Sequence, residues 1–342
     1  MRKVGNMRLL VLGGTRFLSY AVAEAALAQG HEVVCAARGE SGGVPPGAEL
    51  VHLDRSSPDW SGFRPARPPG AEWDAVVDVT STPSWAREAV AALGEQAPYW
   101  IYVSSISAYA DHTIPNGTPE TLPLLDPADV DPMHDQDDTE AYGRAKVACE
   151  QAAQAGARES LVIRPGLIVG LGDPSGRFSY WPERIAEGGD ILAPGSPDRN
   201  MQLIDVLDLA AWIVDCAEQR RTGVYDATGR VTTLGEVLEA VTTGVGGDPQ
   251  LFWAHPAFLR RHHVEPWSGP RSLPLWLPEE MEGMVSHDVS AAYENGLRTR
   301  PLSRTAAETL DWLRSEEGRA TVTGMTRAEE QDLLDDWHTI RA

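Results

Sequence analysis

Short, nearly uninterrupted apolar runs recur through the first part of the chain, at residues 8–12 (RLLVL), 33–37 (VVCAA), 49–53 (ELVHL), 75–79 (AVVDV) and 100–104 (WIYVS). A strand covered on both faces reads this way, because neither side of its pleat meets water. Between some of these runs the pattern changes to alanine-rich segments with helical spacing, at 17–29 and 85–93. Strand, turn and helix alternate, so the sheet is predicted to be parallel with helices on both faces. The fold class that follows is α/β: a Rossmann-type doubly wound parallel sheet with a smaller, mostly C-terminal lobe.

Residues 111–140 break the pattern. They are rich in Pro, Asp and Thr and are predicted as a long loop, whose acidic part, 126–140, reads either as a lid over a substrate or as a solvated connector. Alternation resumes with a helix at 141–155, a strand at 160–164 (SLVIR), a helix near 206–220 and a strand near 223–226. Thr233 and Glu236 form a capping-box pattern that opens a further helix. Glycine and proline crowd 171–200, and 245–290, with many prolines and tryptophans, fits a smaller lobe with irregular structure. Amphipathic patterns at 303–315 and 326–339 predict two surface helices. The organisation expected is a core at 1–170 completed by 200–230, a lobe from 171–199 and 231–300, and C-terminal helices at 301–342.

Charge and composition narrow the partners. A net charge of −21 over 342 residues disfavours nucleic acid or an anionic membrane, which repel an acidic surface at long range. Cys35, Cys149 and Cys216 lie far apart in apolar or helical patterns, so neither a disulfide framework nor a thiolate metal site is predicted. His262, His263 and Glu265 resemble a ligand cluster, but adjacent side chains diverge and no usual ligand spacing completes the set, so no metal is expected. No run reaches the ~18 apolar residues of a membrane span, and the N-terminal apolar run ends in a turn instead of a cleavage site. A cytoplasmic protein acting on a small molecule is the expectation.

Candidate chemistry sits at the strand ends. The turn GGTRFLS joins the first strand to the first helix, where glycine lets backbone N–H groups and the positive helix end approach a pyrophosphate. Of the usual glycine spacing only Gly13 is kept, with Arg16 and Ser19 at the later positions. At the end of the second strand an acidic side chain would accept from the ribose of NAD, whereas a guanidinium would pair with the 2′-phosphate of NADP. This chain has Ala37-Arg38, and Arg16 can add a second charge, so NADP(H) is expected over NAD. Asp54 either accepts the adenine amino group or caps the loop at Ser56-Ser57.

Tyr142 and Lys146 are four apart in YGRAK, which puts them on one helix face. A free phenol titrates at about 10, and a neighbouring ammonium favours its phenolate. Lysine occurs only at Lys3 and Lys146 in a chain otherwise rich in arginine, so a chance pairing is less expected here than elsewhere. The fifth strand ends in VSSISAY, which offers Ser104, Ser105 and Ser107 as hydroxyls to polarise a substrate oxygen.

Together these pieces resemble the NAD-dependent epimerase/dehydratase family, the extended short-chain dehydrogenase/reductases, over roughly residues 7–315. The elements that carry the resemblance are GGTRFLS, Arg38, Asp54, VSSISAY, YGRAK, RPGLIVG at 164–170 and IDVLDLA at 204–210. The resemblance implies catalytic roles for Ser105, four residues before Tyr109, and for Tyr142 and Lys146. It implies cofactor contacts at Gly13, Thr15, Arg16, Phe17, Leu18, Arg38, Leu53, Asp54, Val79, Thr80, Tyr142, Lys146, Pro165 and Leu167. Relatives often pair through the YxxxK helix, and the apolar stretch Val147 to Ala155 allows a homodimer. Where nucleotide-sugar members place an arginine for the substrate diphosphate this chain has Met201, with Arg199 two residues earlier as the alternative cation, and Ile106-Ser107 replaces the Asp-Glu pair of sugar dehydratases. The function implied is NADP(H)-dependent hydride transfer at a secondary alcohol or ketone. An epimerase that retains its cofactor uses the same residues, and a non-catalytic NADP-binding regulator or RNA-associated protein would need none of the Ser, Tyr and Lys set. Trp181, Trp253, Trp267 and Trp276 either line an apolar substrate pocket or form the lobe's core.

Overall fold

The computed structural model describes residues 5–63, 73–131, 140–315 and 323–341. The chain forms two compact units, Met1–Gly166 with Val206–Thr228 and Asp288–Arg298, and Leu167–Asp205 with Gly229–His287 and Thr299–Ala342.

The first unit is built on seven strands: β1 (Arg8–Leu12), β2 (Glu32–Ala37), β3 (Glu49–His52), β4 (Ala75–Asp78), β5 (Tyr99–Val103), β6 (Glu159–Pro165) and β7 (Gly223–Ala227). They lie in the order β7-β6-β5-β4-β1-β2-β3, and every neighbouring pair is parallel. Strand order reverses between β1 and β4, which opens a crevice at their carboxyl ends. Helices α1 (Phe17–Ala28), α2 (Pro83–Leu93), α3 (Ala141–Gly156) and α4 (Val206–Gln219) cover the sheet. Alternate side chains of the strands, Leu10, Leu12, Val34, Val76, Trp100 and Tyr102 among them, pack with Ala86, Ala89, Val90 and Leu93 of α2 and with Cys149 and Ala153 of α3. The runs are continuous in sequence because this packing is matched on the opposite face, where Leu9 and Val11 are also fully buried.

Helix α2 starts two residues before its apolar spacing predicts. Pro83 takes the first helical position, where its missing N–H is no loss, and Asp131 caps the turn from a distance. Ser84 donates to Asp131 through its backbone N at 2.8 Å and its hydroxyl at 2.6 Å. The described part of the acidic loop is therefore pinned to α2, and the rest of the segment read as a lid or connector, 132–139, lies outside the described residues.

In the second unit, strand Gly189–Pro194 pairs in parallel with Pro249–Ala254, and helices Tyr180–Glu187, Leu234–Val245, Leu302–Leu313 and Arg327–Arg341 pack around them. The irregular structure expected over 245–290 is corrected in part by the strand Pro249–Ala254. Consecutive glycines with positive φ, Gly188 at +71° and Gly189 at +72°, let a strand follow a helix without a connecting loop. The capping box is present: Glu236 N donates to Thr233 Oγ1 at 3.2 Å, and Thr233 N to Glu236 Oε2 at 2.9 Å. Trp181 and Trp276 are buried in this unit's core, with Trp253 and Trp267 packed against it, so all four serve packing. His262 stacks on Phe258 and faces Asp336, its Nδ1 3.7 Å from Oδ2. Among the described residues no helix is long and apolar enough to cross a membrane.

Candidate active site

The turn after β1 begins with two glycines in conformations other residues rarely adopt, Gly13 at φ +126° and Gly14 at φ +96°. A Cβ on Gly14 would stand within 2.8 Å of Cys35 Cβ and closer still to its sulfur, so β2 can lie against the turn only because that atom is missing. Helix α1 then starts at Phe17, itself at φ +43°, with no side chain capping its first turn, and its free N–H groups suit an anion.

Beside this turn, at the carboxyl ends of β1, β2 and β4, lies a cavity of about 220 Å³. Of the residues expected to hold a dinucleotide, Gly13, Thr15, Arg38, Leu53, Val79 and Thr80 line it, while Arg16, Phe17, Leu18, Asp54, Tyr142, Lys146, Pro165 and Leu167 do not. Asp54 adopts its loop-capping alternative: Ser56 donates to it from its hydroxyl at 2.7 Å and its backbone N at 2.9 Å, and these bonds hold the carboxyl below its ordinary value. Pro165 ends β6, and Leu167 opens a strand of the second unit, Leu167–Val169. Several lining residues were not foreseen, among them Leu12, Ala36, Glu40, Ser41, Arg55 and Trp85. The signal for Arg55 was available in Asp78, an acid in an otherwise apolar buried strand that needs a cation. Arg55 supplies it, with Nη1 donating to Oδ1 at 2.8 Å and Nη2 to Oδ2 at 2.9 Å.

Ser105 sits just beyond β5 in extended conformation and opens a single turn at Ile106–Ala108. Its hydroxyl donates to Ser107 Oγ at 3.1 Å and accepts from Ser107 N at 3.1 Å. Tyr142 is the second residue of α3 and is 48% exposed, and its hydroxyl has no hydrogen-bond partner among the described residues. Lys146, one turn on, is 2% exposed and donates to the carbonyls of Val103 at 2.7 Å, Thr80 at 3.0 Å and Val79 at 3.3 Å. The ammonium thus ties the ends of β4 and β5 to α3, and it lies 5.9 Å from the centroid of the Tyr142 ring. Between them, Gly143 faces the turn: a Cβ there would meet the Ser107 carbonyl oxygen, so only glycine allows α3 this close to the Ser105 turn. Ser105, Tyr142 and Lys146 are in this way brought to one end of the sheet.

Behind them runs a buried polar chain. Arg164 of β6 donates to Glu150 of α3 through Nε at 2.9 Å and Nη2 at 2.6 Å, and through Nη1 to Tyr109 Oη at 3.1 Å. Tyr109 in turn donates to Asp226 of β7 at 2.6 Å. Burial, and then the charge of Asp226, push the Tyr109 phenol upward, so it stays a donor. The three thiols are buried, and burial raises Cys35 and Cys216 to about 12 and Cys149 to about 11, which leaves them inert. Val147, Ala148, Cys149 and Ala153 of α3, the stretch that suggested a homodimer, are buried within the single chain.

A family model, "NAD dependent epimerase/dehydratase family", matches residues 81–227, a span that holds Ser105, Tyr142 and Lys146. Over that span the chain is similar to this family. The family is one of oxidoreductases and epimerases that use a nicotinamide dinucleotide. A 2′-dehydrokanamycin reductase of Streptomyces kanamyceticus is 28% identical over 232 residues, which are 64% of this chain and 60% of that one. The match therefore spans less than two thirds of the reductase. Among solved structures, the fold matches the Bordetella bronchiseptica enzyme WbmH in complex with NAD+ with a TM-score of 0.63 at 17% identity, covering 91% of this chain and 99% of that one. A UDP-N-acetylglucosamine 4-epimerase from Bacillus cereus gives a TM-score of 0.63 at 18% identity, over 91% of this chain and all of that one. These two likenesses concern the fold.

Proposed function

We propose that the chain is an NADP(H)-dependent oxidoreductase acting at a ketone or secondary alcohol of a small molecule. The observation that carries the reading is the approach of α3 to the Ser105 turn at Gly143, which gathers a hydroxyl, a phenol and an ammonium. The residues present suit the cofactor: Gly13, Thr15, Arg38, Leu53, Val79 and Thr80 would hold its adenosine half, beside the uncapped start of α1. Bound NADP(H) supplies or accepts the hydride.

Tyr142 gives its phenolic proton to the carbonyl oxygen as that oxygen becomes an alcohol, and takes it back in the reverse direction. Its hydroxyl bonds none of the described residues. Ser105 donates a hydrogen bond to the same oxygen and stabilises the charge that develops there. Lys146 holds a positive charge one helical turn from the phenol, 5.9 Å from the centroid of its ring. Arg38 supports NADP over NAD, since a guanidinium at the end of β2 suits a phosphate and not a bare ribose hydroxyl. Met201, where an arginine would meet a diphosphate, favours a substrate without one, and the similarity to a reductase favours net reduction.

Tyr142→Phe tests this. Turnover of a ketone panel, followed by NADPH absorbance, is expected to fall about 10²- to 10⁴-fold while NADPH affinity stays within about twofold. An unchanged rate would remove Tyr142 from the chemistry and the proposal with it.

A further inference from the structure

We infer that Arg55 recognises the adenine ring of the cofactor through the flat face of its guanidinium, an assignment that rests on the cavity beside Gly13 being the dinucleotide pocket. Arg55 lines that cavity although its side chain is only 9% exposed. Its Nη1–Nη2 edge is engaged elsewhere. Nη1 and Nη2 donate to the two oxygens of Asp78, Nη2 also donates to the Trp85 carbonyl at 2.7 Å, and Nε is buried with no hydrogen-bond partner among the described residues.

A phosphate is met by the parallel N–H fork of an arginine, and here Asp78 already occupies that fork. Asp78 is itself fully buried and also accepts from Thr80 N at 3.0 Å, so the carboxylate is fixed and cannot give way to a ligand. The same pairing cancels the charge of Arg55. What remains to the cavity is a planar, weakly hydrated π surface, held rigid at three points, of the kind on which aromatic rings stack. Its surroundings agree: the Trp85 indole lies 5.7 Å from the guanidinium carbon, and Leu53, Ala36 and Ala37 complete apolar walls. A flat heterocycle fits this corner and a phosphate does not. Arg38, by contrast, has a half-exposed side chain whose contact with Glu40 is 3.5 Å long, so its fork is available to an anion. The two arginines divide the ligand, Arg55 taking the base and Arg38 the 2′-phosphate.

The test compares two ligands with the same phosphates, 2′,5′-ADP and its base-free counterpart ribose 2,5-bisphosphate, by calorimetric titration of the full chain. Arg55→Lys keeps a cation for Asp78 and removes the plane. It is expected to bind 2′,5′-ADP about tenfold more weakly, the scale of one lost base-stacking contact, with ribose bisphosphate affinity unchanged. Arg55→Met combined with Asp78→Leu removes the pair as a unit, provides the same comparison if the lysine variant fails to fold, and is expected to give the same selective loss. An equal loss for both ligands, or no loss for either, would overturn the role of Arg55 while leaving the pocket assignment intact. Failure of the unmodified chain to bind NADPH and 2′,5′-ADP at all would overturn the pocket assignment itself, and this inference with it.

Discussion

Around α3 the charged groups that hold the candidate catalytic residues are buried and bonded, with Glu150, Arg164 and Lys146 each no more than 3% exposed. At the mouth of the cavity the side chains of Arg38 and Glu40 are 50% and 69% exposed, 3.5 Å apart. The contrast follows from what each end is proposed to do. Proton transfer needs a phenol, a hydroxyl and a ketone at set distances, and low-dielectric hydrogen bonds hold such distances. A phosphate can be captured by a flexible cation in water, where the pairing is weak and easily exchanged. Substitutions at the first end are therefore expected to cost stability, and those at the second to cost affinity alone.

The strongest way to break this contrast is Glu150→Ala. It leaves Arg164 buried with its charge unmatched, and urea denaturation is expected to show a loss of about 3–5 kcal/mol. A loss below about 1 kcal/mol would mean that the pair does not brace α3. Gly143→Ala sharpens the comparison at a single atom, because the new Cβ meets the Ser107 carbonyl. The helix must shift away, at roughly 1–3 kcal/mol of stability, and turnover should fall more than NADPH affinity does. Wild-type turnover in that variant would show that the approach of α3 to Ser105 is not needed. At the opposite end, Arg38→Ala is expected to leave the denaturation midpoint in place and to weaken NADPH binding about tenfold, or ~1.4 kcal/mol, with NADH binding unchanged. Equal weakening for both cofactors would assign Arg38 to something other than the 2′-phosphate.

The sheet was legible because each of its buried strands is written as a local apolar run, and Tyr142 and Lys146 because one helical turn separates them. What escaped was set by contacts between distant segments. Gly143 lies between the two expected residues and reads as an ordinary helical glycine until the Ser107 carbonyl, brought from another element, appears beside it. Arg55 follows Asp54, which reads either as an adenine contact or as a loop cap, and the chain turns so that Asp54 bonds Ser56 and Arg55 lines the cavity. Asp78 within AVVDV was the legible hint, since a carboxylate in a fully buried strand requires a nearby cation. In the second unit the abundance of Gly and Pro signals turns, and the pairing of Gly189–Pro194 with Pro249–Ala254 joins segments too far apart for a local pattern to announce.

The bond from Tyr109 to Asp226 spans 117 positions. During synthesis on the ribosome, the phenol therefore emerges long before the acceptor that satisfies it, and a nascent chain halted at the end of β6 would have to leave that hydroxyl wet or bury it at a cost of about 1–3 kcal/mol. Completion of the last strand is then the event that seals the interior, and fragments that stop short of it are expected to be clients of chaperones and proteases.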